Sequence, residues 1–167
     1  FSIEKNYKKY HKKIPNYLIR NEKFFFKEGI SCSSVGIRFS AAYMPKGCLF
    51  GVNANFFFKN EDDLYYVLAF LNTKIAWYFA RKVLIRTNNI SANYLRKMPI
   101  IFPRSFKLKK DIVKMTQQIV QRLKNDKNFN TSDFENKMDT LFYKIYKIND
   151  LDKSRIEKFS KNFYEEL

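Results

Sequence analysis

The stretch EDDLYYVLAFLNTKIAWYFARK, residues 61–82, decides how the chain folds. Leu64, Val67, Leu68, Leu71, Ile75, Tyr78 and Phe79 recur at steps of three and four, the spacing of one wide apolar face on an amphipathic helix. A long helix over Asp62–Lys82 is expected. Asn60 stands where an N-cap belongs, and Glu61, Asp62 and Asp63 put negative charge on the first turn, where the helix dipole favours it. Lys74, Arg81 and Lys82 fall toward the other end. A polar loop follows, Arg86-Thr87-Asn88-Asn89, and then LRKMPIIFP at 95–103, whose apolar end reads as a short strand between two prolines. From Lys74 to Lys110 there are ten Lys or Arg and no Asp or Glu. A solvated helix face mixes charge signs, so a stretch this one-sided points to a negatively charged partner.

On the N-terminal side of this helix the period changes. Phe24-Phe25-Phe26 is a short apolar run. Ile37, Phe39, Ala41 and Tyr43 alternate with Arg38, Ser40 and Ala42, as in a half-buried strand. Pro45-Lys46-Gly47 reads as a turn, and Cys48–Val52 and Phe56–Phe58 as two further strands. Before them, Tyr7, Tyr10, Ile14 and Leu18 keep a helical step that Pro15 interrupts, which implies a short helix or an entry arm. On the C-terminal side, three striped helices are expected. Leu108, Ile112, Met115, Ile119 and Leu123 mark the first, with Ser105 as its cap. Phe134, Met138, Leu141, Ile145 and Ile148 mark the second, with Ser132 and Glu135 at capping-box spacing. Asp152 caps the third, with Leu151 and Ile156 as a hydrophobic staple. The fold class is therefore α+β: a small twisted β region packed by a long helix, followed by a C-terminal helical bundle. The division runs 1–103 for the β-rich part with its basic helix and 104–167 for the helical region.

At 167 residues this is one domain or one domain with a helical appendix. Aromatic residues make up 18% of it, enough to fill a core, which excludes global disorder. No run approaches the roughly 20 apolar residues of a membrane span. No signal peptide is visible and the chain opens on Phe1, so it reads as a fragment of a longer, cytoplasmic protein. Two cysteines, Cys32 and Cys48, are too few for a disulfide scaffold and lack zinc-site spacing. The net charge is +16 and unevenly spread. From Asp133 onward there are 7 basic and 8 acidic residues, leaving 25 basic and 8 acidic, or +17, in the first 132. A soluble basic domain with such asymmetry fits a polyanion partner, most often nucleic acid.

Catalytic patterns are missing. The lone His11 has no nucleophile context. Gly29, Gly36, Gly47 and Gly51 form neither a phosphate loop nor a dinucleotide fingerprint. Asp133, Glu135 and Lys137 have a superficial nuclease spacing, but they open a capped helix, where acids serve the dipole. The chain reads as a binder without a catalytic residue, cofactor or metal site of its own.

Four segments, in order, resemble one family. Asn21-Glu22-Lys23-Phe24-Phe25-Phe26-Lys27-Glu28-Gly29-Ile30-Ser31 is similar to the opening of the C-terminal target recognition domains of bacterial adenine-specific DNA methyltransferases. Leu68–Ala76 (LAFLNTKIA) resembles their L-x-x-L-N-S-K-x-A helix, Leu95–Ile100 (LRKMPI) their closing L-x-x-L/M-P-I, and Met138–Tyr146 (MDTLFYKIY) a helix near their end. That family includes type IIG restriction–modification enzymes. The resemblance implies an α/β or α+β domain that grips the DNA major groove while a separate domain methylates N6 of adenine. The Asn/Asp-Pro-Pro-Tyr/Phe signature and the glycine-rich cofactor loop are absent here, and Cys32 stands where the family often has Trp. S-adenosylmethionine and an N-terminal methyltransferase domain are thus expected of the full-length polypeptide, with double-stranded DNA as the partner and no membrane.

On this reading Arg38, Lys46, Lys74, Arg81, Lys82 and Arg86 are candidates for phosphate or base contacts. Asn53, Asn55, Asn88, Asn89 and Asn93 are candidates for base edges, since an Asn amide pairs bidentately with adenine. A merely solvated side chain is the competing reading for each. Trp77 and the Phe runs are expected in the core. An RNA or single-strand binder, which would expose aromatics beside its basic residues, and a helical protein-interaction module are the alternatives.

Overall fold

The computed structural model describes residues 3–10, 21–35, 39–51, 55–84 and 89–165, with side chains as far as Asn162. His11, Ile37, Arg38, Val52, Asn53, Arg86 and Asn88 lie outside the described residues. The element order is α1 (Ile3–Tyr10), β1 (Gly29–Cys32), β2 (Ala41–Met44), β3 (Asn55–Phe56), α2 (Glu61–Leu71), α3 (Lys74–Tyr78), a π-helical turn (Phe79–Leu84), α4 (Ala92–Leu95), α5 (Phe106–Asn125), α6 (Ser132–Ile145) and α7 (Asp150–Glu165). The class is α+β, as expected.

The long helix is broken. α2 ends at Leu71 and α3 starts afresh at Lys74. Two polar residues make the break. The Asn72 amide donates to Leu68 O at 3.0 Å and to Ala41 O at 2.9 Å, while its Oδ1 accepts from Ala41 N at 3.1 Å. Its side chain thus imitates a paired strand residue for β2. Thr73 then caps α3, with Oγ1 accepting from Ala76 N at 3.2 Å and donating to Phe70 O at 2.7 Å. Nor does α2 show one apolar face: all eight residues from Leu64 to Leu71 are buried. It packs against β1 and β2 as well as α5 and α6, so more than one of its faces is covered. Asn60 caps it as expected, accepting from Asp62 N at 2.8 Å.

The sheet is antiparallel with order β2-β1-β3. Gly29 pairs with Met44 and Cys32 with Ala41 on one side of β1; Ile30 pairs with Phe56 and Ser31 with Asn55 on the other. A Cβ on Gly29 would lie 2.5 Å from Phe56 O and 3.0 Å from the Phe57 ring. A backbone oxygen in a ladder cannot swing aside as a side-chain tip can. Gly29→Ala is therefore expected to cost about 1–3 kcal/mol through overpacking. Urea titration tests this; a midpoint equal to the parent's would mean that β3 slides away freely. Cys32 is buried beneath the sheet, and burial pushes its thiol up to about 12, which leaves it protonated and inert near neutrality.

Two expected strands do not form, and the apolar run Phe24–Phe26 is not extended either. Glu22–Phe24 is a 3₁₀ turn flanked by Asn21 and Phe26 at φ 61 and 65. Its rings bury themselves on other rings, Phe24 on Phe57 and Phe25 on Phe50, with centroids 4.8 and 4.9 Å apart. Cys48–Gly51 has no ladder; Phe26 N–H donates to Cys48 O at 3.0 Å. The Pro99–Pro103 segment is irregular because tyrosine hydroxyls, not a strand, satisfy its backbone. Tyr66 donates to Ile101 O at 2.6 Å, Tyr146 donates to Pro99 O, and Ile101 N–H donates back to Tyr146 at 3.2 Å. The turn at Pro45-Lys46-Gly47 does form, with Gly47 at φ 87.

The three C-terminal helices lie where their stripes put them, with different starts. Ser105 caps α5 as expected, accepting from Leu108 N at 3.2 Å. α6 begins one residue early, with Thr131 in the cap position and its hydroxyl bonded to Glu135, so the Ser132–Glu135 box is not made. α7 is capped by Asn149, which accepts from Asp152 N at 2.8 Å, so Asp152 lies inside the helix and exposed Leu151 forms no staple. One hydrophobic cluster runs through Ile30, Phe39, α2, Trp77, Ile112, Phe142 and Phe159, joining the sheet to all three helices. Trp77 is in it, against Phe159 at 5.3 Å.

Candidate nucleic-acid interface

The register decides which candidate residues can act together. β2 and β3 both run antiparallel to β1, so their first residues, Ala41 and Asn55, sit beside its last, Cys32 and Ser31. Beyond Cys32 the chain continues to Val35, which forms an antiparallel bridge with Asn89. Ser33 N–H donates to Ser40 O at 2.9 Å and Ile90 N–H to Ser34 O at 2.7 Å. Val35, Asn55 and Asn89 therefore lie at one end of the sheet.

Asn55 and Asn89 are at this end, and further candidates lie along the chain beyond it. Asn55 is half-buried opposite Ser31, and Asn89 is exposed. The π-helical turn leads into segment 85–88 and carries Arg81 and Lys82. Arg81 is half-buried, and burial pulls its guanidinium below the usual value. Lys82 is exposed, with Nζ 5.3 Å from the Phe159 ring, which braces it against α7. α4 packs on this turn and presents Asn93, Tyr94 and then Arg96 and Lys97 to solvent. Arg96 and Lys97 carry the same charge as Lys74, but they lie in solvent, whereas Lys74 is engaged internally. No acid occurs at 29–60 or 74–110, so no carboxylate from these segments neutralises the surface.

Two candidates are elsewhere. Lys46 follows β2, at the opposite end of the sheet beside Gly29, with Nζ 3.8 Å from Glu28. Lys74 is half-buried and engaged by carboxylates of its own chain. Its Nζ lies 3.3 Å from Asp139 Oδ2 and 3.4 Å from Glu157 Oε2, and its backbone N–H donates to Asp139 Oδ1 at 2.8 Å. Burial opposes the Lys74 ammonium, but the two carboxylates outweigh it and hold its pKa up. Asp139 is raised by its own burial, against the pull of Lys74. Tyr143 donates to the second Glu157 oxygen at 3.2 Å. This cluster ties α3 to α6 and α7 across 65 and 83 residues of sequence. The Lys74 position is therefore a clamp that fixes the start of α3, and through it the π-helical turn, on the helical region.

A groove of about 410 Å³ opens between β2, α2, α5 and α6, lined by residues such as Tyr43, Leu68, Ala69, Val120 and Met138. Its mostly apolar lining does not suit a polyanion. Among the described residues no group of acids, cysteines and histidine could hold a metal ion, and no helix is long and apolar enough to cross a membrane.

No known protein-family profile matches the chain. Over 87 residues it is 37% identical to the adenine-specific methyltransferase BrxX of Escherichia coli O9:H4 (strain HS), a match that covers 50% of this chain and 7% of that protein. Half of this chain is thus similar to a small part of an adenine-specific methyltransferase.

Proposed function

We propose that this chain recognises duplex DNA sequence-specifically for an adenine-N6 DNA methyltransferase or a fused restriction–modification enzyme of the type IIG kind. The observation that carries the reading is that Val35, Asn55 and Asn89 lie at one end of the sheet, from which the chain runs on into α4, packed on the π-helical turn that carries exposed Lys82, in stretches 29–60 and 74–110 that hold no acid. The similarity to BrxX supports the enzymatic context. In this reading Lys82, Arg96 and Lys97 bind phosphates and fix register, while asparagines such as Asn89 and Asn93 meet base edges in the major groove. The buried core and the Lys74–Asp139 clamp hold that surface rigid, so that a base contact is not blurred by movement beneath it.

S-adenosylmethionine would supply the methyl group, and its binding falls to another part of the full-length protein. Gly29 serves the close approach of β1 to β3 and Gly47 serves a turn, so neither opens a cofactor loop.

Duplex binding should fall steeply with salt, because each phosphate contact releases a counterion. Lys82→Ala should weaken all duplexes alike and reduce the log–log salt slope by about one. Asn93→Ala should leave the slope unchanged and relax base choice at one position. Affinity measured at several salt concentrations, together with sequencing of selected duplexes, tests all three. Binding that is absent at low salt, or flat from low to moderate salt, would remove the proposal.

A single-strand reading has one observation in its favour. Phe102 and Phe106 are 46% and 68% exposed near Arg104, Lys107 and Lys110, with Lys110 Nζ 4.8 Å from the Phe106 ring. Exposed rings among cations suit base stacking. Competition separates the two: single strands that displace duplex, and lose that advantage in Phe106→Ala, would favour it.

A further inference from the structure

Val35 is a β-branched residue left 68% exposed at the crowded end of the sheet. A single exposed valine is ordinary on a protein surface. This one is set apart by its partner. The Val35–Asn89 bridge is antiparallel, and the Ile90 N–H to Ser34 O bond falls one residue to the side of the pair on each strand. That pattern defines a non-hydrogen-bonded pair, in which the two side chains share one face and the Cα atoms stand about 4.5 Å apart. Both residues are exposed, so the shared face turns a branched apolar side chain and a carboxamide toward solvent together. Two paired chain segments can enter the major groove of B-DNA side by side.

In that groove adenine offers N7 as acceptor and its N6 amino group as donor, matched by a carboxamide. Thymine offers a 5-methyl group, matched by an apolar side chain. Guanine and cytosine offer no methyl group. We propose that Val35 and Asn89 act as one reading unit for an A·T-containing step, with Asn89 on the adenine edge and Val35 against the methyl of the neighbouring thymine. The inference rests on the duplex reading above and adds Val35, an apolar residue, as a determinant of specificity.

The test uses the natural full-length protein and a random duplex library. If no duplex is selected, the duplex reading falls and this inference with it. Once a preferred site is selected, each thymine is replaced in turn by deoxyuridine, which keeps base pairing and removes only the methyl group. At one position the replacement is expected to weaken binding about fourfold, the effect of one buried methyl group. In Val35→Ala the same replacement should make no difference, and in Asn89→Ala the preference for the adjoining adenine should relax. If no deoxyuridine replacement weakens binding at a selected site, or if Val35→Ala keeps the full penalty, the inference is overturned while the duplex reading stands. The exposure of Val35 keeps its substitution out of the core, and an unchanged thermal midpoint verifies this.

Discussion

Phe142→Ala is expected to remove about 3–5 kcal/mol of stability, because it deletes a fully buried ring at the meeting point of three others. Phe142 lies 5.5 Å from Tyr66, 5.6 Å from Phe70 and 6.4 Å from Tyr146, centroid to centroid. Tyr66 and Tyr146 are also the residues whose hydroxyls satisfy the Pro99–Ile101 backbone. A cavity here removes packing and loosens those hydroxyls together. The thermal midpoint should drop by roughly 10–15 °C for a chain of this size. A drop of only a degree or two would mean that the surrounding rings collapse into the space, and that α2 and α6 are less rigidly joined than the packing implies.

Asp139→Ala is expected to cost about 3 kcal/mol. It strips a buried carboxylate from both the ammonium and the backbone N–H of Lys74, leaving Glu157 as the remaining carboxylate of that cluster. Asp139→Asn should cost less, since an amide oxygen still accepts from the Lys74 N–H. Lys74→Ala should destabilise as well, and the double variant should cost clearly less than the sum of the singles, because both act on one contact. Urea denaturation of the four proteins gives the coupling. If Lys74→Ala leaves stability unchanged but lowers the salt slope of DNA binding, Lys74 is a phosphate contact after all and the clamp is incidental.

These two predictions concern a segment whose pattern was visible in sequence before its role was. MDTLFYKIY and LAFLNTKIA are both recognisable motifs, and Lys74 belongs by sequence to the cation-rich stretch without acids. In the fold the two motifs touch. Asp139 of one receives Lys74 of the other, and Asn72 stitches α2 to β2. The charge of a lysine is legible in a sequence, but whether a carboxylate 65 residues away neutralises it is not. Arg96 and Lys97 illustrate the converse: identical charge, left in solvent.

The sequence by itself determined the class of the fold, the positions of α5, α6 and α7, the caps at Asn60 and Ser105, the turn at Gly47 and the absence of acids from residues 29–60 and 74–110. These follow from local chemistry: periodicity, a side-chain oxygen ahead of a helix, or a composition. Tertiary structure alone decided the rest. It broke the long helix at Asn72-Thr73, because a strand edge outside the helix competed for the amide. It turned apolar runs such as Phe24–Phe26 and Ile100–Phe102 away from strand pairing, because ring contacts and tyrosine hydroxyls met their needs instead. It also brought Val35 to Asn89 across 53 intervening residues, a pairing with no local signature, since strand register is set by which distant backbone groups are left to bond.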